Sequence, residues 1–329
     1  MSELSKKLLN LINEELCINE ICSILDLSHK QVYNILRGLK QIGMEFNKKY
    51  YCDGETVYVL KKDLSWMTKK SNVNIITEPN QDELSLMVIS DLHLGSEFEN
   101  IDAINKIYDY CAVNNIHCII MAGDLLDGIN VGRADSKKHD NAFDQIEYAL
   151  SRYPFDKNIL NFIVLGNHDV DCLMSYGVDF STYLRNFRHD IVPLGYGHGR
   201  VNIKNDKIVI THPLGIGNNN NFELPNSYIL IKGHHHYSKS IIANNGNCSI
   251  TVPSLSNLFL HEDTFLPGAT LLNIKFKNGY FDTIRIDNLL VNDRVNLVNS
   301  ICYNMVLPKE KSDGIKNEEV FSKRKTLTK

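Results

Sequence analysis

The stretch that decides the fold is residues 84–93, LSLMVISDLH, because an apolar run of strand length ends there in two metal-binding side chains, Asp91 and His93. Four later apolar runs end in the same manner: 117–122 before GDLLD, 160–165 before GNHD, 207–211 before a histidine, and 228–232 before GHHH. In open α/β sheets, ligands bind in a crevice outside the carboxyl ends of the strands. The five clusters therefore predict a single polar site at one edge of a sheet.

The segments between the first three apolar runs carry helical patterns, at Ile101 to Val113 and at Ala142 to Tyr153. A helix between two such runs is the crossover that parallel strands require. Further strands are expected at Ser249 to Pro253, Thr270 to Phe276 and Phe281 to Ile286, where they would complete a second sheet. The predicted fold class is α/β, with two sheets stacked as a sandwich and flanked by helices.

The five clusters also resemble the motifs of a known family. In this order, D-x-H, GD-x-x-D, GNH-D, H and GH-x-H resemble the calcineurin-like metallophosphoesterases, from about Leu84 to Ile286. Each block alone is a weak signal, because a lone histidine is more often an ordinary core or surface residue. The stretches DLHLGS at 91–96 and GDLLDGI at 123–129 further resemble nuclease-type members, such as the exonuclease subunit of the archaeal family D DNA polymerase.

The resemblance implies a site for two divalent metal ions. It assigns Asp91, His93, Asp124 and His236 to one ion, and Asp124, Asn167, His212 and His234 to the other. Asp124 would bridge the ions, and two carboxylates against two dications would leave a positive site that favours an anionic phosphate. Mixed imidazole and carboxylate ligands suit Mn, Fe, Zn or Co better than Ca or Mg, and we expect Mn²⁺.

Residues beside the expected ligands receive other roles. By the resemblance, His168 contacts the phosphate or the leaving oxygen, with simple packing as the alternative, and Asp169 fixes the orientation of its ring. Asp127 is expected to support the ligands through hydrogen bonds. His235 lies between two ligands and, at a strand end, would face away from them as a structural residue.

Residues 1–62 predict a small winged helix-turn-helix domain. Apolar residues recur with helical spacing in three stretches, and Ser28 can cap the third helix. Lys49 to Cys52 and Thr56 to Leu60 then flank Asp53-Gly54, a dipeptide that suits a type I′ hairpin turn, and this hairpin would be the wing.

In winged-helix domains the third helix enters the major groove of DNA. The outward face of the third helix would carry Tyr33 together with Lys30, Arg37 and Lys40, which are the predicted nucleic-acid contacts. The alternative is that the domain holds another protein or a second copy of the chain, as a homo-oligomer.

The remaining boundaries follow from where these patterns stop. Residues 63–83 lose their periodicity and are expected to form a linker with one strand at Val73 to Thr77. A metallophosphoesterase domain is expected over 84–306, and a disordered tail over 307–329.

The composition excludes several classes of protein. The chain of 329 residues is 43% hydrophobic with a net charge of −4, which is typical of globular proteins with a sizeable core. No apolar run approaches the roughly 18 residues that a membrane span needs, so no membrane partner is expected. The eight cysteines include no CxxC motif, which favours reduced thiols in a cytoplasmic protein over a disulfide framework.

The sequence therefore predicts a two-metal phosphodiesterase, a DNA exonuclease or endonuclease whose winged helix delivers the substrate. One alternative is a phosphatase or a cyclic or small-nucleotide phosphodiesterase whose head serves dimerisation. Another is a DNA-binding regulatory or polymerase-accessory subunit that keeps the fold without the chemistry. Intact ligands argue against this last alternative, because strongly perturbed charged clusters are typical of working sites.

Overall fold

The computed structural model describes residues 3–41, 46–60, 72–131, 137–139, 141–176, 178–214, 229–243, 247–257, 259–260, 263–264 and 266–305. The predicted tail, 307–329, lies outside these ranges, as do residues 63–71 of the predicted linker.

The N-terminal part, which we call the head, consists of three helices and a hairpin. These are α1 (Glu3–Asn13), α2 (Ile18–Leu25), α3 (His29–Gln41), β1 (Phe46–Tyr51) and β2 (Thr56–Leu60). The apolar faces of the helices bury a small core that includes Leu8, Ile21 and Leu36. Ser28 precedes α3, its hydroxyl donating to Gln31 Oε1 at 2.7 Å while Gln31 N donates back to Ser28 Oγ at 3.4 Å. Helix α2 therefore ends and helix α3 begins where the capping residue Ser28 predicts.

The rest of the chain alternates strands and helices. In chain order the elements are β3 (Asn72–Ile76), β4 (Glu83–Ile89), α4 (Ile101–Val113), β5 (Cys118–Ala122), α5 (Ala142–Arg152), β6 (Leu160–Leu165), α6 (Asn167–Tyr176), α7 (Phe180–Phe187), β7 (Ile191–Tyr196), β8 (His198–Ile203), β9 (Asp206–Thr211), β10 (Ile229–Lys232), β11 (Lys239–Ile242), β12 (Cys248–Thr251), β13 (Phe259–Leu260), β14 (Asp263–Thr264), β15 (Gly268–Lys277), β16 (Tyr280–Val291) and β17 (Val295–Asn304).

The strands form two large sheets. The first sheet has the order β17-β16-β15-β4-β5-β6-β7, in which β4 to β7 are parallel to one another. The second sheet has the order β11-β12-β10-β9-β8-β3-β1-β2. Strands β13 and β14 form a separate short hairpin. The protein is therefore a mixed α/β fold with two sheets, as predicted.

Alternation along β4 shows how the layers are built. Leu86 and Val88 lie in a core that also contains residues of the second sheet, such as Ile208 and Ile231. Met87 and Ile89 point the other way, into a core shared with helix α4. Because successive side chains of a strand face opposite sides, β4 is buried on both faces. The site is therefore expected at the carboxyl end of β4.

Several expectations about the strands need correction. Strands β15 and β16 were expected to complete the second sheet, but β15 pairs antiparallel with β4 and extends the first sheet. The strand expected at Val73 to Thr77 within segment 63–83 is present as β3, and it pairs in parallel with β8 and β1. Through β3, the head hairpin becomes the end of the second sheet. The turn is not type I′, since Gly54 has φ +86° and Asp53 is not among the residues with positive φ.

One negative finding concerns membranes. In the described ranges, no helix combines the length and the apolar character needed to cross a bilayer.

Candidate metal centre

The loops after β4 and β5 are joined by backbone hydrogen bonds. Asp91 N donates to Gly123 O at 2.9 Å, and His93 N donates to Asp124 O at 3.2 Å. From the second sheet, His234 N donates to Asp91 Oδ2 at 3.0 Å. The strand ends of both sheets therefore meet at one point, as the pattern of apolar runs predicts.

The backbone at this point adopts an uncommon conformation. Within the described ranges, half of the ten non-glycine residues with positive φ are expected metal ligands, namely Asp91 (55°), His93 (48°), Asp124 (55°), His234 (79°) and His236 (60°). L-residues adopt this left-handed region rarely, and residues held there cluster at functional sites. The sharp turns direct the side chains back over the strand ends.

The first ligand group consists of Asp91, His93 and His236, whose donor atoms lie within 4.8 Å of one another. Asp91 Oδ1 is 3.2 Å from His236 Nε2 and 4.0 Å from His93 Nε2. All three side chains are at least nine-tenths buried. His93 Nε2 has no hydrogen-bond partner in the described part of the chain. A buried nitrogen aimed at a carboxylate but without a partner is what a metal ligand leaves when the ion is removed.

The second group consists of Asp124, His212 and His234. His212 Nε2 is 3.0 Å from both Asp124 Oδ2 and Asn167 Oδ1, and His234 Nδ1 is 3.1 Å from the same Asn167 oxygen. The other ring nitrogen of His212 lies 2.7 Å from Ala122 O, a carbonyl that can only accept. Nδ1 therefore carries a proton, and Nε2 is the atom turned to the centre.

The electrostatics fit ionised carboxylates beside imidazoles. Burial raises the pKa of Asp91, but the hydrogen bond from His236 and the charge of His212 bring it below its ordinary value. Burial likewise raises the pKa of Asp124, and nearby His212 pulls it well below its usual range. Burial lowers the pKa of His212, but Asp124 raises it overall to about 9. The donor set therefore carries the charge and the atoms that two divalent cations need.

His168 stands beside the ligands and is held by the backbone of Asp127. Its Nε2 is 4.0 Å from Asp124 Oδ2, and its Nδ1 is 2.5 Å from Asp127 O. The carboxylate of Asp127 lies 3.4 Å from His93 Nδ1. Asp127 thus positions two imidazoles: its backbone carbonyl holds the ring of His168, and its carboxylate lies against the ring of His93. A third possible ligand group, of His93, Asp124 and His168, also exists.

Asp169 does not have the contact expected of it. Its carboxylate accepts from Leu126 N and Gly166 N at 2.8 Å each and from Leu125 N at 3.2 Å, so it holds the loop that carries Asp124. The ring of His168 is oriented by Asp127 O instead. Burial and the charge of Asp124 raise the pKa of Asp169 to about 7.

Sequence reasoning missed two contributions to the site. Asp171 accepts from Ile129 N at 2.6 Å and Asn130 N at 2.7 Å, and so fixes the end of the same loop. Three ligands are preceded by glycine, and a Cβ on each glycine would lie about 2.1 Å from a neighbouring atom: Gly123 from His212 Nδ1, Gly166 from Asp124 Oδ1, and Gly233 from Ala122 O. The recurring glycine before a ligand was the signal available in the sequence.

The remaining predicted residues do not join the ligand groups. His235 is exposed, and its ring lies beside that of His234, with centroids 5.6 Å apart. Lys30 and Arg37 lie on α3, both exposed, and the side chain of Lys40 is outside the described part of the chain. Tyr33 does not face outward, because it stacks on His189 with ring centroids 3.4 Å apart. Part of the expected recognition face of α3 is therefore turned towards the rest of the protein.

The fold and the groups of possible metal ligands together are those of a metal-dependent phosphoesterase. Residues 84–298 match the family model for calcineurin-like phosphoesterases, which spans more than half of the chain. The chain belongs to this family and is a metal-dependent hydrolase. A search of curated proteins found no match.

Several solved structures are similar to this chain. The E. coli phosphoesterase Yfce is 16% identical with a TM-score of 0.42, over 66% of this chain and 98% of its own. A dimetal phosphatase from Danio rerio is 12% identical with a TM-score of 0.41, over 69% and 100%. The Pseudomonas putida nuclease MPE is 12% identical with a TM-score of 0.30, over 69% and 96%. At these values the similarities do not identify a substrate.

Proposed function

We propose that this protein is a Mn²⁺-dependent phosphodiesterase that cleaves DNA, as an exonuclease or an endonuclease. The observation that carries the proposal is the position of Asp124 in two adjoining groups of possible ligands, one with His93 and His168 and the other with His212 and His234. One set, Asp91, His93, Asp124 and His236, would hold one ion, and the other, Asp124, Asn167, His212 and His234, would hold the second.

The protein contributes ionised carboxylates and a fixed imidazole ring to the site. When bound, two divalent cations hold a phosphate and make a water molecule acidic enough to attack it near neutral pH. Asp91 and Asp124 stay ionised at neutral pH, because their pKa values lie below the ordinary range. The hydrogen bond to Ala122 O keeps the ring of His212 in one orientation, so the ligand atom needs no reorganisation.

His168 is suited to act on the leaving oxygen. With Nδ1 bonded to Asp127 O, its Nε2 is the free nitrogen, and the side chain is 15% exposed at the edge of the centre. A nucleotide hydroxyl leaves as a strongly basic alkoxide unless it receives a proton. Because Nδ1 already donates to Asp127 O, Nε2 can supply that proton only from the doubly protonated ring; the leaving oxygen then takes the Nε2 proton and the ring becomes a neutral imidazole.

The head favours nucleic acid as the substrate class. Its three helices and hairpin follow the order of a winged helix-turn-helix, and α3 presents the cations of Lys30 and Arg37. These cations lie towards the opposite end of β6 from the centre, and exposed cations on the same protein attract a polyanion through long-range electrostatics. We therefore propose DNA as the partner.

A small-nucleotide phosphodiesterase is the second candidate. The observation in its favour is the stacking of Tyr33 on His189, which uses part of α3 for contact within the chain. A helix held in this way has less surface for the major groove of a duplex.

An activity panel separates the candidates. The full chain is loaded with Mn²⁺ and assayed on labelled single- and double-stranded DNA, cyclic dinucleotides, and p-nitrophenyl mono- and diesters. We expect hydrolysis of DNA and of the diester, both absent in Asp124→Asn. Turnover of cyclic dinucleotides with inert DNA would support the second candidate and overturn the first.

A further inference from the structure

A cavity of about 560 Å³ lies between the head and the body of the protein. Its walls come from α2, α3 and the hairpin turn on one side, and from residues 155–160 and 186–190 on the other. This volume is in the range of sites that enclose a small organic ligand. The cavity includes Leu160, the first residue of β6, whereas the metal ligands follow the last residue of that strand. The two sites are therefore at opposite ends of β6, roughly 20 Å apart at 3.3 Å per residue.

Two aromatic rings line this cavity with much of their surface uncovered. Phe155 is 64% exposed and Phe187 is 61% exposed. Each ring is supported from the protein side, Phe155 by the guanidinium of Arg188 at 5.9 Å and Phe187 by the stacked ring of Tyr183 at 5.9 Å. Rings held in this way form platforms on which planar groups stack.

The body side of the cavity is rigid. Arg188 donates to both oxygens of Asp190, from Nε at 2.8 Å and from Nη2 at 2.6 Å. The same guanidinium donates to Tyr153 O at 2.8 Å and to Pro154 O at 2.6 Å, just before Phe155. A bidentate ion pair with further backbone acceptors fixes this segment before any ligand arrives.

The charge of the lining is positive. Among the described lining residues, Lys30, Arg37 and Lys157 face the carboxylates Glu55 and Asp190. Asp190 is neutralised by Arg188, and Glu55 accepts a hydrogen bond from Asn19. An excess of cations therefore remains next to the aromatic rings. Lys30 and Lys157 are both exposed.

We propose that this cavity binds a nucleotide unit, with its base on Phe155 and Phe187 and its phosphate on Lys30, Arg37 and Lys157. Sites that combine aromatic platforms with cations bind single-stranded nucleic acid in this way. The unit belongs either to a single strand or to a free mononucleotide, and the test separates these sources. The choice of ligand rests on the proposed nucleic-acid function, but the binding itself does not depend on hydrolysis.

The test measures binding by the full chain in its Mn²⁺-loaded form. Fluorescein-labelled dT10 with phosphorothioate linkages is titrated by fluorescence anisotropy, with unlabelled dTMP as the competitor. The variants are Phe155→Ala, which removes a platform, and Lys157→Glu, which reverses an exposed charge. Matched controls outside the cavity are Phe143→Ala, at 52% exposure, and Lys277→Glu.

Phe155→Ala should weaken dT10 binding by roughly 10-fold or more, the usual effect of losing one stacked base. Lys157→Glu should weaken it as well and should lower the slope of log affinity against log salt by about one unit. Displacement of dT10 by dTMP identifies a free mononucleotide as a ligand, and binding of dT10 without such displacement identifies a strand. If both variants bind dT10 as tightly as their controls, or the wild-type protein does not bind it, the proposal is overturned.

Hydrolysis is followed separately on unmodified DNA and on bis(p-nitrophenyl) phosphate. A protein that binds dT10 through the cavity but does not cleave DNA would contradict the proposed function alone. Cleavage of DNA with unchanged binding in both variants would contradict the cavity alone.

Discussion

Gly166→Ala is the substitution that tests the metal centre most directly. An ideal Cβ on Gly166 would lie 2.1 Å from Asp124 Oδ1, 2.7 Å from Asp124 N and 2.7 Å from His212 Cδ2. Real Cβ atoms do not approach other atoms within 3.0 Å, so the Asp124 carboxylate must move by about 1 Å and the Asp124 backbone by about 0.3 Å. Ligand distances in a metal site tolerate only about 0.2 Å, and a misplacement of about 1 Å can lower a rate by roughly 10²-fold.

We therefore expect Gly166→Ala to bind fewer than two metals per chain and to hydrolyse bis(p-nitrophenyl) phosphate at least about 100-fold more slowly. Metal content is measured by elemental analysis after dialysis against Mn²⁺, and initial rates are measured on the same samples. Gly38→Ala is the control, since its added Cβ meets nothing within 4 Å and a helical alanine stabilises by up to about 1 kcal/mol. Two bound metals and a near wild-type rate in Gly166→Ala would refute the reasoning.

Three other outcomes are expected. Asp124→Asn should abolish hydrolysis and lower the metal content while circular dichroism stays unchanged, because asparagine tolerates the φ of +55° at this position; an active variant with two metals would contradict the bridging role. His168→Gln should keep its metals and cleave DNA roughly 10²- to 10⁴-fold more slowly, with a much smaller loss on bis(p-nitrophenyl) phosphate, whose leaving group needs no proton; equal losses on both substrates would assign His168 to phosphate binding. A chain that begins at Asn80 should be insoluble or have a clearly lower Tm, because it lacks β1, β2 and β3 and uncovers Phe162, which Tyr50 contacts at a centroid distance of 5.8 Å; a soluble chain with an unchanged Tm would show that the head is dispensable.

The sequence predicted that these side chains come together, because the motifs that carry them are local. The apolar run Leu160–Leu165 has the length of a strand and is followed by a glycine, which favours a strand over a buried helix, and the residues after it then lie at the strand end. The strand order of the sheets cannot be predicted from local motifs. Whether β15 joins β4 or the second sheet depends on the pairing of segments almost 200 residues apart, which no local pattern encodes. This is why the strands were predicted and their sheet was not.

The role of Asp169 shows a second limit. Asp169, which follows His168 in the sequence, was expected to hold the His168 ring. It lies in the first turn of helix α6, and its carboxylate is directed to the loop after β5. Neighbours in a helix face different directions, so adjacency does not predict contact. The carbonyl that does hold His168 belongs to Asp127, and backbone atoms carry no signal in the residue pattern.

The placement of the head changes what it contributes to the site. Strand β3 pairs with β8 through Val73 and Val201, and β8 follows directly on Gly197. Gly197 N donates to Leu165 O at 2.7 Å, and Gly197 O accepts from His212 N at 2.9 Å. Gly197 therefore links the end of β6 to the expected ligand His212, and it directly precedes β8, the strand that pairs with β3. Strand β1 of the head pairs with β3, so a continuous set of backbone hydrogen bonds leads from the head through β3 and β8 to His212, and the head also lines the cavity at the other end of β6. Substitutions on the cavity surface, such as Phe155→Ala and Lys157→Glu, rather than removal of the head, are the way to separate binding from catalysis.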